Sequence, residues 1–291
     1  MAARFWVGGT GTWDSSDTSH WASTTGGASG ASVPGASDDA TFDGSSGGGT
    51  VTVVFGGAIT LNTLEMGAFT GTLDFSVNNN SISMRSLNCS GSGARTLKMG
   101  SGTWTMDDTG AALMNFSTAT NLTLDVGTCT VLFRSRGDAN AAKSIAWPLN
   151  SVVNGGAGVV WPNVTVDGNA SSTRKHGTLN FNNTNATLTI ANLTISGPCP
   201  TITNVTASGA ISVSGVATIG GSSSTTAVGF APMVSQAMTL PNGTALNYCS
   251  LQGMVFTGTG ITATNSFDLG ANTGITISSP AGGGGGGVIG N

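Results

Sequence analysis

Twelve aspartates and one glutamate are the only acids among 291 residues. Aspartates are adjacent in two places, Asp38 and Asp39 with Asp43 nearby in SDDATFD, and Asp107 and Asp108 in TMDDTG. Paired carboxylates can hydrolyse glycosides when one acts as acid and the other as base or nucleophile, roughly 5–10 Å apart beside a groove. Neighbouring residues of a strand point to opposite faces, however, and at a turn an aspartate accepts backbone hydrogen bonds. Both pairs therefore read as structural, and no catalytic residue is assigned. Glu65, Asp74, Asp125, Asp138, Asp167 and Asp268 stand alone in sequence, so only chain stacking would bring carboxylates together.

Oxygen-ligand cation binding is the next chemistry to consider, with Asp14, Asp17, Asp38, Asp39 and Asp43 as its candidates. Neither an EF-hand nor a nonapeptide calcium repeat is present, so turn-forming aspartate is the expectation and no metal or cofactor is implied. His20 and His176, the two histidines, lie too far apart in sequence to suggest a zinc site or a Ser/His/Asp triad, and both are expected at the surface. Cys89, Cys129, Cys199 and Cys249 form no CxxC pair. Each falls in or beside a strand-like pattern, where cysteine behaves as a small buried hydrophobe.

Shorter motifs carry less. Arg136–Asp138 spells RGD, a tripeptide that recurs by chance and reads as a loop. The sequons at Asn115, Asn121, Asn163 and Asn192 follow from a composition rich in Asn, Ser and Thr. GGTGT and GGGGGG lack the downstream Lys-Ser/Thr of a phosphate loop.

Composition narrows the elements that position these residues. Charged residues make up 8% of the chain and glycine 46 positions, with one Glu, three Lys and two Gln. The residues that normally cover exposed helices are nearly missing, which argues against long helices. A formal net charge of −4 with scattered cations offers no phosphate-binding stripe, so nucleic acid is not an expected partner. No apolar run reaches the length of a membrane span, and MAARFWVGG holds no signal-peptide core. The expectation is a chain assembled in the cytosol without membrane insertion.

From about residue 50 apolar residues alternate in short runs separated by Gly, Asn and Ser, the signature of successive strands. One spacing recurs, with apolar residues at relative positions 1, 3, 6 and 8. It fits Ile59, Leu61, Leu64 and Met66; Ile82, Met84, Leu87 and Cys89; Val159, Trp161, Val164 and Val166; and Leu188, Ile190, Leu193 and Ile195. A weaker copy runs through Leu246, Tyr248, Leu251 and Gly253, and a partial one through Ile202, Val205 and Ala207. Two strands meeting at a corner explain the pattern, because inward positions alternate within each strand and two residues intervene at the bend. Starts 23 residues apart (59 and 82) and 29 apart (159 and 188) suit a solenoid coil. The expected fold is all-β, a right-handed parallel β-helix-like solenoid over residues 51–279, with a β-sandwich or jelly roll as the alternative.

Residues 1–50 do not repeat, and three of the six tryptophans, Trp6, Trp13 and Trp21, lie there. A solenoid's first coil has a naked apolar end and an unpaired edge, and terminal units must cover both. An N-terminal cap or docking segment built on Trp6, Trp13, Trp21, Asp38, Asp39 and Asp43 is therefore expected. An aromatic platform for carbohydrate would instead require exposed rings. Residues 280–291, PAGGGGGGVIGN, read as a Gly-rich C-terminal tail packed against a neighbouring subunit.

The run FWVGGTGTWDSSDTSHWASTTGGASGASVPGASDDATFDGSSGGGTVTV, residues 5–53, resembles the opening segment of Gly-rich β-structured virion proteins of tailed bacteriophages, of the tail fibre, spike or head-appendage type. The rest of the chain is similar in style only. A W-x-G-G-x-G-x-W opening also occurs in autotransporter passenger regions, which are exported. What the resemblance implies is a non-enzymatic virion structural protein, by analogy of fold a homotrimer, contacting other virion proteins and with host-surface glycan as a candidate ligand. The alternatives it leaves are a capsid decoration or cement protein, a polysaccharide depolymerase and a secreted autotransporter-like adhesin.

Overall fold

A computed structural model of the chain describes residues 1–108, 112–135, 143–147, 153–168, 179–182, 187–197, 199–203, 210–230 and 237–280. These residues form an all-β protein of thirty short strands, with two single-turn 3-10 segments at Val153–Gly156 and Ser224–Thr226. Arg136–Asp138, His176, Val205, Ala207 and the tail 281–291 lie outside the described residues, as does the side chain of Cys199.

Asp39–Thr41 belongs to a first sheet, Thr50–Val53 to a second and Ile59–Thr60 to a third. The chain then revisits them in the same order: Thr63–Glu65, Thr72–Asp74 and Ile82–Met84, then Ser86–Asn88, Arg95–Lys98 and Thr103–Asp108, then Ala112–Asn115, Leu122–Asp125 and Thr130–Ser135. Each round pairs in parallel with the one before it. Among the described strands a single pairing is antiparallel, Ala3–Trp6 against Trp21–Ala22. Sandwiches are built from antiparallel ladders, so the sandwich expectation is set aside.

Parallel register turns the alternation of each strand into continuous apolar columns. In the first sheet Ala40, Leu64, Leu87, Met114, Ile145 and Phe181 stack in order. In the third, Met84, Met106, Phe133, Val166, Ile195 and Ile219 do the same. All twelve are buried. Strands whose outward face carries Thr, Ser and Asn cost little to expose, while the inward column removes apolar surface from water at roughly 25 cal/mol per Å².

The corner reading holds for the first two repeats. Ile59 and Leu61 precede a bend at Asn62, and Leu64 and Met66 follow it in another sheet; Ile82 and Met84 are separated from Leu87 and Cys89 by Arg85 in the same way. Leu188, Ile190, Leu193 and Ile195, all buried, lie in one long strand, Leu188–Ser196. Its first half pairs with Ile211–Val213 and its second with Ala217–Gly220. The weaker copy is framed differently from the sequence reading. Tyr248 is the corner, with φ at +48°, and the buried set is Thr244, Leu246, Cys249 and Leu251.

The second sheet ends at Leu122–Asp125, where a side chain takes the place of the next strand. Asn154 Oδ1 accepts from the Leu124 amide at 2.7 Å, and Asn154 Nδ2 donates to the Leu124 carbonyl at 3.1 Å. Val160 and Trp161 then start a new ladder that continues through Leu188–Ile190, Ile211–Val213, Ala237–Thr239 and Val255–Thr257.

Candidate functional site

The N-terminal residues share the sheets of the body. Ala3–Trp6 pairs with Asp39–Thr41 in the first sheet and Gly11–Trp13 with Thr50–Val53 in the second, so position 50 falls at the start of a strand. Trp21–Ala22 lies at the end of the first sheet, antiparallel to its neighbour. That strand covers the edge which Ala3–Trp6 would otherwise present to another chain.

Trp6, Trp13 and Trp21 are fully buried and converge on Phe42. Trp21 packs edge-to-face on Trp6 and on Trp13, with both centroid distances 5.3 Å. Trp6 Nε1 donates to the Gly9 carbonyl at 2.8 Å. Trp13 Nε1 and Trp21 Nε1 have no hydrogen-bond acceptor, but both rings sit in edge-to-face clusters, where ring edges meet the electron-rich faces of neighbours. Buried rings cannot stack on a sugar, so these three close the core's end and do not form a carbohydrate platform. Phe42 was legible in sequence as the inward residue two positions after Ala40.

His20 departs from the expectation of a surface residue. Its ring is half-buried, Nδ1 lies 2.9 Å from the Val7 carbonyl, and the imidazole stacks on Trp6. Gly8 and Gly11 make room for it: a Cβ on Gly11 would lie 2.6 Å from His20 Nε2 and 2.9 Å from Trp6 Cζ2. The glycines of GGTGT thus serve close packing.

The aspartates of this region hold turns. Asp14 Oδ1 accepts from the Ser16 and Asp17 amides, both at 2.7 Å. Those bonds, Ser16 first, keep its carboxyl below the usual range. The side chain and amide of Ser19 do the same for Asp17. Asp43 Oδ1 accepts from the Ser45 amide at 2.8 Å, and Asp38 bonds the amides of Ala2 and Gly35, each at 3.2 Å. Among the described residues no three His, Cys, Asp or Glu side chains gather as a metal site.

Stacking does bring two carboxylates to one face. Asp39 pairs with Thr63 and Thr41 with Glu65, which puts Asp39 and Glu65 one rung apart and two residues along the strand. Asn62 Nδ2 donates to Asp39 Oδ1 at 2.5 Å and Asn88 Nδ2 to Glu65 Oε2 at 2.7 Å. Burial raises the Glu65 pKa above its ordinary value against the Asn88 bond, and Asp39 adds to the rise. Each carboxylate is thus tied to an amide of the following round. Asp74 sits lower than usual: burial alone would raise it, but Ser76 and the Lys98 ammonium, 3.2 Å away, outweigh that.

Sequence reasoning missed the one cation that is buried among the described residues. Arg95 is 2% exposed; its guanidinium donates to the carbonyls of Gly93 at 2.8 Å, Thr120 at 3.2 Å, Thr118 at 3.5 Å and Cys89. It pins the corners of two successive rounds. An outward polar residue was the natural reading of an Arg flanked by Ala and Thr, and only stacking places it beneath carbonyls. Cys89, Cys129 and Cys249 are free, buried thiols, as expected. Comparison with known protein families, with curated proteins and with solved structures returned no match for this chain.

Proposed function

We propose that the chain is a right-handed parallel β-helix serving as a non-enzymatic structural component of a bacteriophage virion, in a tail fibre, spike or surface appendage. The handedness follows the rule for crossovers between parallel strands of one sheet. Homotrimeric assembly, contact with other virion proteins and engagement of a host surface belong to the same reading. The observation that carries it is the segment with the phage-like sequence: residues 5–53 are where the aromatic cluster and the antiparallel strand close the stack.

The physical properties suit such a role. A parallel stack whose rounds contact only their neighbours supplies stiffness over length. Among the described residues the exterior is dominated by Thr, Ser, Asn and Gly, so contacts with neighbours or glycans would be numerous and individually weak. Cryo-electron microscopy of particles that contain the protein, with head and tail classified separately, tests the reading. Density on the tail or a projecting appendage is expected; a regular array over the capsid lattice would make it a decoration protein, and absence from the particle would overturn the proposal.

The Asp39–Glu65 juxtaposition is the one observation that favours the depolymerase alternative, because a carboxyl of raised pKa beside a second carboxylate is the pair that glycoside hydrolysis uses. Both groups are already bonded to asparagines. Reducing-end assays on polysaccharide with wild type and Glu65→Gln decide it, and no cleavage is expected from either.

A further inference from the structure

The two ends of the stack differ. Trp21–Ala22 covers the first sheet at one end, whereas Phe267–Asp268 and Thr276–Ile277 are the last strands of the first and third sheets at the other. Among the described residues no further strand pairs with either. Apolar side chains collect at this end: Phe267 is 39% and Leu269 57% exposed, and Ile275 and Ile277 are only partly buried against the core. Asp268 lies in register with buried Leu251, and its carboxylate accepts from the Gly270 amide at 2.9 Å and from Asn272 Nδ2 at 2.6 Å. A following round would have to cross Asp268 with little or no side chain.

We propose that this end is the docking face of the chain's own residues 281–291, laid down as one more round that closes the stack. The register carries the argument. In the last step of the third sheet Thr262 pairs with Thr276 and Ala263 with Ile277, fourteen positions on. Ser278 is already held at the next corner, its amide donating to the Ala263 carbonyl and its carbonyl accepting from the Ser266 amide, both at 2.9 Å. The same step carried forward sets Ala281, Gly282 and Gly283 over Phe267, Asp268 and Leu269, and Ile289 over Ile275, itself one step on from buried Ile261. The run of six glycines thus crosses the polar stretch around Asp268 and Asn272, where only a bare backbone can approach closely. Val288 and Ile289, the two large apolar residues of the tail, arrive where an isoleucine is half covered. No side chain of 281–291 is charged, so none opposes Asp268. Ser278 reaches Ala281 by the same number of residues that takes Thr264 to Phe267 in the round below, which favours the chain's own tail over that of a neighbouring subunit. With both ends closed, neighbours in an assembly meet the flanks of the stack, and the inference holds or fails whether or not the protein sits on a virion.

Hydrogen exchange on the full chain, read by peptide mass spectrometry, tests it. Peptides from 281–291 should exchange about tenfold or more slowly than the same sequence as a free peptide. Ile289→Asp should return them to the free-peptide rate while the rest of the chain keeps its protection. Cross-linking reads which chain the tail docks on. Phe267→Cys combined with Ala281→Cys should be joined within one chain by a short bis-maleimide. Val77→Cys, at a position 65% exposed and in an early round between Thr72–Asp74 and Ile82–Met84, should not be joined to Ala281→Cys. Wild type sets the background, with Cys89, Cys129 and Cys249 buried. Exchange of the tail at the free-peptide rate, or equal cross-linking to both positions, overturns the inference. Links between two chains in place of links within one also overturn it, and would assign the tail to a neighbouring subunit.

Discussion

The imidazole of His20 lies flat on the indole of Trp6, with ring centroids 4.6 Å apart and planes 6° from parallel. They lie fourteen positions apart in sequence, and Trp6 in turn touches Trp21 and Phe42. The end of the core is thus closed by a stacked unit that depends on missing side chains at Gly8 and Gly11.

Gly11→Ala should therefore destabilise the protein, by about 1–3 kcal/mol, because its methyl must displace both rings. Gly56→Ala, where an added Cβ meets nothing, should leave stability within about 0.5 kcal/mol. Denaturant unfolding of the two variants makes the comparison, and equal losses would refute the packing argument.

Removal of residues 1–22 takes away the antiparallel strand Trp21–Ala22 together with three buried tryptophans. The exposed parallel edge and apolar cross-section should then drive self-association. Light scattering should report larger, heterogeneous aggregates for the truncated chain at concentrations where the full chain gives a single defined species.

Asn154 satisfies two backbone groups of Leu124 and the carbonyl of Gly158 at 3.1 Å. Asn154→Ala leaves these without partners and should cost about 2–4 kcal/mol. It also places alanine at φ +52°, so Asn154→Gly, which relieves the backbone but restores no bond, should recover only a minor part. Hydrogen exchange at Leu124 should accelerate in both variants.

Glu65 holds its proton more tightly folded than unfolded, chiefly through burial. Between the two pKa values the folded protein binds more protons, so stability falls as pH rises through a window starting in the ordinary glutamate range. Glu65→Gln keeps an acceptor for Asn88 and abolishes this component. The variant should match wild type in acid, where both forms are uncharged, and melt higher at neutral pH; a neutral-pH melting point below wild type would contradict it.

Burial pushes the thiols of Cys129 and Cys249 up to about 12 and that of Cys89 higher still. Thiolate is the reactive form, so iodoacetamide at pH 8 should leave all three unmodified in the folded protein and label them after denaturation. Peptide mass spectrometry separates these outcomes.

Much of the fold is determined by the sequence alone. The scarcity of helix-forming side chains and the period-two runs dictate strands, and the 1, 3, 6, 8 spacing identifies inward residues and corners at Asn62 and Arg85. These are local properties, set by the alternation of a pleated strand and by the polarity of what lies outside it. Tertiary structure alone decided which residues from different rounds meet: Asp39 with Glu65, Arg95 with the carbonyls of Cys89 and Thr120, Asn154 with Leu124, His20 with Trp6. Those meetings depend on the register between rungs, which is fixed by turn lengths and by how columns of unequal side chains pack. A shift of one residue would leave the composition untouched yet turn every inward side chain outward. Even the frame at Leu246 and Cys249 follows from that register, because Tyr248 fits the apolar spacing but takes the corner.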